Sequence, residues 1–337
     1  MRSPKWSKLA LLMAALAVAG GCSAYGAQED DVVRVYSGRH YGVESAFERF
    51  GKDTGIDVEF LFGSDADLRE RLKTEGEDTL ADVYLTVDAS NLALAARSGL
   101  LAPLDSPALE ETVPAHLQDP ENRWFAVALR ARTIIYNPEK VDPSELSTYA
   151  GLADPRWKGR LCLRNSTATY TQSLVASLIA HDGYEGAKAI VQGWVDNEPE
   201  MINSDPEIVR TVSKEGCDVA VVNHYYLADE MKKNPGLDAR IFWADQDRHG
   251  THVNISGAGV TKHADDPGLA QRFIEWLATD GQGIFVSTSQ EFPVNPAVAP
   301  GELLQSFGTF KADELDASRI GDLNADATRL MDEVGYQ

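Results

Sequence analysis

Apolar positions in this chain change period several times, and each change marks a new element. "VVRVYS", from Val32, is a short β-branched run, after which Val43, Ala46, Phe47 and Phe50 recur at helical spacing. "IDVEFLF" returns to a strand pattern, a charged helix begins near Asp65, and "ADVYLTV" followed by "ASNLALAARSGLL" continues the alternation. Strands alternating with helices in this way predict a parallel α/β sheet. A second α/β unit is predicted further on, through "GRLCLRNS", "TYTQSLVASLIAHDG", "AKAIVQGWV", "DVAVVN" and "RIFWAD".

Two apolar stretches belong to neither unit alone. "WFAVALRARTIIYNP" reads as one long strand crossing from the first unit to the second, and "THVNISGAGVTKHA" as the return crossing. A mature chain of this length exceeds one comfortable hydrophobic core, so two lobes are expected. The boundaries follow from the crossings: residues 31–130 and 255–303 form an N-lobe, and residues 131–254 and 304–337 a C-lobe. Paired crossing strands make a hinge with a cleft beside it. Arg130 and Arg132 interrupt the first crossing, and a guanidinium cannot be buried there unpaired. Both are expected to face the cleft or span the hinge. The tryptophans, Trp124 and Trp157 among them, read as core.

Charge and leader restrict the partners. Arg2, Lys5 and Lys8 precede an apolar run from Leu9 to Val18 and then small residues, the pattern of an export signal. "AGGC" ends the leader at residues 1–21 and makes Cys22 a candidate lipidated first residue; a cut after Ala27 is the alternative. Removing the leader removes three basic and no acidic residues, so the formal net charge moves from -21 to -24. Such a surface repels nucleic acid and anionic lipid headgroups. Membrane contact is then expected only through a lipid anchor, and the place of the protein is the periplasm or cell envelope. Cys162 and Cys217 remain, and an oxidising compartment makes a disulfide the default for two cysteines, with a pair of buried thiols as the alternative. Both appear to the pattern as strand residues of one sheet, which would put the bridge beside "NHYY".

The candidate chemistry lies at predicted strand ends, where open α/β sheets bind ligands. "YSGRHYG" places Arg39, His40 and Tyr41 after the first strand, "RNSTATYTQS" places Arg164 and Tyr170 after another, and "VVNHYYLADE" places Tyr225 and Tyr226 after a third. A phenol loses its proton, with an ordinary pKa near ~10, only to a strongly Lewis-acidic cation. Calcium and magnesium select carboxylates and carbonyls, and zinc selects imidazole and thiolate at spacings absent here. A hard trivalent ion fits, and Fe(III) is the natural candidate. Several phenolates overcompensate a 3+ charge, so Arg39 or Arg164 would balance the excess or hold a small anion such as carbonate. Arg39 reads equally as a surface ion-pair partner, His224 is left out of the site, and Asp88 reads as a helix cap.

These segments carry a resemblance. "YSGRHYG", "ADVYLTVDASNL", "RARTIIYNP", "DPRWKGRLCLRNS", "YTQSLVASLI", "NHYYLA" and "EFPVNP", in this order, resemble the periplasmic ferric-ion-binding proteins, the substrate-binding components of iron(III) ABC importers. The resemblance implies a two-lobed periplasmic-binding-protein fold of type II, like a transferrin lobe, with two hinge-crossing strands. It implies ligands Tyr170, Tyr225 and Tyr226 from one lobe, Tyr41 and His40 from the other, and delivery to a permease with its ATPase; the sequence gives no reason to expect an oligomer, so a monomer is expected. Some members place a glutamate ligand where this chain has Val87, so the chain resembles the tyrosine-rich branch. Two other readings stay open: an organic-solute binder of the same fold, for a polyamine, sugar or thiamine, and a secreted enzyme. No GxSxG, HExxH or P-loop pattern supports the enzyme.

Overall fold

The computed structural model describes residues 31–39, 42–214 and 216–337; the leader with Cys22, and His40 and Tyr41, lie outside the described residues. The chain opens with β1 (Val32–Ser37), α1 (Glu44–Thr54), β2 (Asp57–Phe62), α2 (Asp65–Glu75), β3 (Val83–Thr86), α3 (Ala89–Arg97) and α4 (Pro107–Thr112). After β4 (Phe125–Tyr136) come β5 (Leu161–Arg164), α5 (Thr169–Asp196), β6 (Glu200–Ile202), α6 (Asp205–Ser213), β7 (Val219–Asn223), α7 (His224–Lys233) and β8 (Arg240–Phe242). The return begins with β9 (Val253–Val260) and ends through α8 (Pro267–Ala278), α9 (Gln282–Ser289), α10 (Glu302–Gln305) and α11 (Ala317–Glu333). Among the described residues no helix is long and apolar enough to cross a membrane.

The alternation predicted from the sequence is present, with side-chain caps where polar residues precede the helices. Ser64 Oγ accepts from Asp67 N, Asp88 from Ser90 N, Ser204 from Glu207 N and Asp266 from Leu269 N. The predicted parallel sheet needs one correction. β1 pairs in parallel with β2 and β3, and β5 with β6 and β7, but β9 is antiparallel to β3 and β4, and β4 to β7 and β8. A strand returning from the far lobe runs against its neighbours, so the sheet is mixed, in the order β2-β1-β3-β9-β4-β7-β5-β6 with β8 also on β4. α5 keeps the two segments the pattern suggested: the range is two helical stretches joined at Gly183, whose non-helical φ of 72° only glycine adopts freely.

β4 is the crossing strand. Its first half, Phe125–Ala131, pairs with β9, and its second half, Arg132–Tyr136, pairs with β7. Apolar side chains on either side belong to separate clusters. One takes Val33 through Ala128 and Ile255 through Val294, with Ala317; another takes Ile134 through Ala244 and the C-terminal helix from Ile320. Trp124 and Trp157 are fully enclosed, one in each. Tyr149 ties the two crossings together: its hydroxyl donates to Arg132 O at 2.5 Å and accepts from His252 N at 3.1 Å.

Cys162 and Cys217 form a disulfide, with Cα atoms 5.8 Å apart. The expectation that the bridge sits beside the tyrosine pair is overturned. Cys217 precedes β7 and the tyrosines follow it, so the strand's length separates them.

His252, at the start of β9, generates a test of the hinge. It is buried, and neither ring nitrogen has a hydrogen-bond partner. Burial holds the imidazole down at about 4, against an upward pull from Asp313 and with further downward pushes from Arg132, His181 and Arg130. Because the folded pKa lies below the unfolded one, the stability this residue leaves intact above pH 6.5 is lost as pH falls toward 4. Wild type should therefore lose about 3 kcal/mol more than His252→Gln between pH 7 and pH 4 in chemical denaturation. Parallel pH profiles for the two proteins would contradict this.

Candidate metal centre

Three of the tyrosines expected at the site converge. Tyr225 and Tyr226 follow directly on the carboxyl end of β7, as the pattern suggested, and stand in the first turn of α7. Their rings are 4.2 Å apart between centroids. Tyr170 occupies the first turn of α5, and the charges of Tyr225 and Asp205 act on it. Neither helix has a side-chain cap at its start: Ala168 has no acceptor to offer, and Asn223 turns its amide to the Tyr225 hydroxyl at 3.1 Å. Both helices that carry the phenols therefore begin without a side-chain cap.

Burial opposes ionisation of the phenols. It pushes Tyr226 far above its ordinary pKa, with Tyr225 and Tyr170 adding to the rise. It raises Tyr170 as well, and Asp205 adds to this while Arg132 and Arg164 pull back. The pull comes from close contacts. Arg164 Nε donates to Tyr170 Oη at 3.0 Å, and the Arg132 guanidinium lies 4.8 Å over the Tyr170 ring. Arg164 also donates to Asn203, which holds it against the phenol.

Arg130 and Arg132 face this site from the middle of the crossing strand, each almost fully enclosed. Burial lowers the Arg130 pKa, and the charges of Tyr225, Glu291, Asp88 and Asp65 outweigh it, so the guanidinium stays firmly protonated. Arg132 is likewise held up by Asp205, Tyr170 and Tyr336 against its own burial. Its partners are Asp205 Oδ2 at 3.3 Å, Asn223 Oδ1 at 3.4 Å and Val221 O at 3.1 Å.

Arg39 corrects one reading. It is no surface ion-pair partner, because its side chain is 8% exposed and bonds Glu291 Oε1 at 2.5 Å, a carboxylate with no exposure at all. Glu291 also faces Arg130 Nε at 3.6 Å, so Arg39 connects to the tyrosines through Glu291 and Arg130. The Nε groups of Arg39, Arg130 and Arg132 are buried without a hydrogen-bond partner. Positive charge with unused donors, beside buried phenols, suits oxygen anions.

His224, which the sequence reading left out of the donor set, has its ring engaged elsewhere. It is fully buried, its Nδ1 meets Ala131 N at 3.1 Å, and burial holds its pKa down to about 3. Asp88 is the expected cap of α3. Val87 supplies no donor beyond its backbone N, which donates to Asp65 Oδ2 at 3.2 Å. The residues the pattern missed are Asp205, Glu291, Asp65 and Tyr336. Asp65 lies beside Val87, and burial, with Asp88 adding, raises its carboxyl to about 7. The sequence did signal two of them, since Arg130 and Arg132 in an apolar run demand buried carboxylates, although it did not say which.

The sequence profile of the bacterial extracellular solute-binding proteins matches residues 38–284. Iron uptake protein A1 of Synechocystis is 39% identical over 320 residues, covering 92% of this chain and 88% of that protein. The Fe(3+)-binding periplasmic protein of Serratia marcescens is 28% identical and covers 99% of each chain. Among solved structures, a Trichodesmium protein in complex with iron and citrate is 39% identical, with a TM-score of 0.87 over 91% of this chain and 100% of that one.

The Arg132–Asp205 pair separates a buried ion pair from an ordinary one. Asp205→Asn should destabilise the metal-free protein by about 3 kcal/mol, because it strands a buried guanidinium. Asp53→Asn, which breaks the exposed Arg49–Asp53 pair at 2.7 Å, should cost less than about 1 kcal/mol. Equal shifts in thermal denaturation would show that Arg132 is not buried as described.

Proposed function

The chain belongs to the bacterial extracellular solute-binding proteins, in the group of periplasmic iron-uptake and ferric-ion-binding proteins, and from that premise we propose that it captures Fe(III) in its interlobe cleft through tyrosine phenolates and hands it to an ABC permease. It is an exported binding protein and not an enzyme, and its α/β fold is the two-lobed type II fold of its structural relatives. The observation that carries the proposal is the convergence of Tyr170, Tyr225 and Tyr226 at two uncapped helix starts, under Arg132 and Arg164.

Tyr170, Tyr225 and Tyr226 are the ligands from the C-lobe on this reading. Tyr41 and His40 complete the shell from the N-lobe; they lie outside the described residues, and the resemblance of "YSGRHYG" supports them. Three phenolates neutralise a 3+ ion, and with Tyr41 as a fourth the shell becomes anionic, which the buried arginines then stabilise. Arg164 stands against Tyr170, and Arg39 acts through Glu291 and Arg130. A small anion, carbonate or another, would meet the uncapped α5 and α7 N–H groups as co-ligand. The relative solved with iron and citrate is consistent with an anion of this kind.

Closure follows as a population shift. The ion bound to one lobe favours the form in which the other lobe's donors reach it. The separate apolar clusters support lobes of 31–130 with 255–303 and 131–254 with 304–337. A monomer anchored at Cys22 and docking on a permease with its ATPase completes the proposal. An organic solute of the polyamine, sugar or thiamine kind is the competing occupant.

Titration of chelator-stripped protein with ferric citrate should give a visible phenolate-to-iron absorption that saturates at one equivalent. Tyr225→Phe with Tyr226→Phe should abolish most of it. Each phenol must surrender a proton, so affinity should fall by roughly tenfold per pH unit for each proton displaced as pH drops from neutral. A colourless wild type that binds an organic solute stoichiometrically would overturn the reading.

A further inference from the structure

Two lobes closed on a metal ion need something besides the ion to set how long they stay closed. In this chain the strand end that faces the cleft from the N-lobe carries Val87, which offers no side-chain ligand, followed by Asp88, whose carboxylate is 1% exposed. Asp88 Oδ1 accepts from Ser90 N at 2.8 Å and so caps α3. Its other oxygen reaches further. Oδ2 accepts from Asn254 Nδ2 at 2.7 Å, on the crossing strand β9, and from Ser173 Oγ at 2.8 Å.

Ser173 belongs to the other lobe. It stands three residues after Tyr170 in α5, one helical turn along the same face, and its side chain is fully buried. Its hydroxyl has a second acceptor, Thr169 O at 3.0 Å, but one proton to give, and a carboxylate is the stronger acceptor. Asn254 holds Asp88 in place from the hinge while its own Oδ1 accepts from Ala89 N at 3.1 Å. The backbones are close here as well. Gly321 of α11, a helix packed with α5, faces Ala93 and Ser90 of α3, and a β-carbon there would stand 2.8 Å from the Ala93 side chain. Asp88 thus touches the capped start of an N-lobe helix, the hinge strand, and the C-lobe helix that presents Tyr170.

We propose that the Ser173–Asp88 hydrogen bond is the latch of the closed form, with Ser173 and Asp88 positioning residues that set the rate of ferric release without touching the ion. The proposal rests on the ferric-binding reading. It replaces a ligand contributed across the cleft, which Val87 cannot provide, with a polar contact one residue later that fastens the lobes instead.

The test uses full-length ferric-loaded protein and an excess of EDTA, with release followed by loss of the visible band. Ser173→Ala removes the hydroxyl and leaves the α3 cap intact. Release should accelerate roughly ten-fold, as expected for losing a hydrogen bond to a charged acceptor, while the position and intensity of the band stay at wild-type values. Asp88→Asn, which keeps a capping side chain, should also accelerate release, and the double variant should be no faster than the faster single. Release within two-fold of wild type in both single variants, with an unchanged band, overturns the latch alone. A shifted or weakened band in Ser173→Ala also overturns it, because Ser173 would then be shaping the metal shell. A wild type with no ferric band at all overturns the binding reading and the latch with it.

Discussion

A phenol taken out of water holds its proton more tightly, and the cleft is organised around that cost. Burial raises the pKa of Tyr170 and Tyr226 well above the value of a free tyrosine. Without compensation these residues would be inert hydroxyls at neutral pH. Compensation at Tyr170 comes from fixed positive charge: Arg132 over its ring and Arg164 on its oxygen. Neither suffices to ionise the phenols alone. On the proposed reading a trivalent cation would supply the remainder, and the site would select an ion with enough charge to displace several protons at once.

The arginines impose a second requirement, because they are themselves buried. Arg132 is held by Asp205 and Arg130 by Glu291, and Glu291 also takes Arg39. The phenols are thus backed by buried ion pairs, Arg132–Asp205 and Arg130–Glu291. The long strand β4 links the two, since alternate residues on it, Arg130 and Arg132, serve Glu291 near the N-lobe and Asp205 near the C-lobe. A strand that crosses the hinge is therefore also the electrostatic backing of the site.

Much of this was legible in the sequence, for reasons that differ by level. Alternating strand and helix periods gave the α/β class, and an apolar run of unusual length gave the crossing. Tyrosines after strand-like runs pointed to Tyr170, Tyr225 and Tyr226, which the fold brings together. What the pattern could not give was register and direction. It placed the disulfide beside the tyrosines because both neighbour β7, whereas they occupy opposite ends of it. It made the sheet parallel because nothing local announces that β9 returns in reverse. Asp205 and Glu291 were invisible as site residues, being ordinary acids in a chain rich in them. Their roles depend on which buried arginine each meets, and that is decided by the fold.

Resonance Raman spectroscopy of the ferric-loaded protein, excited within its visible absorption, tests the central claim most directly. Strong enhancement of tyrosine ring and C–O modes, with the Tyr225 and Tyr226 contributions lost one at a time in the single phenylalanine variants, is the predicted result. A loaded protein whose spectrum shows no phenolate modes would contradict the account, since the iron would then be held by other donors and the tyrosines would merely line the cleft.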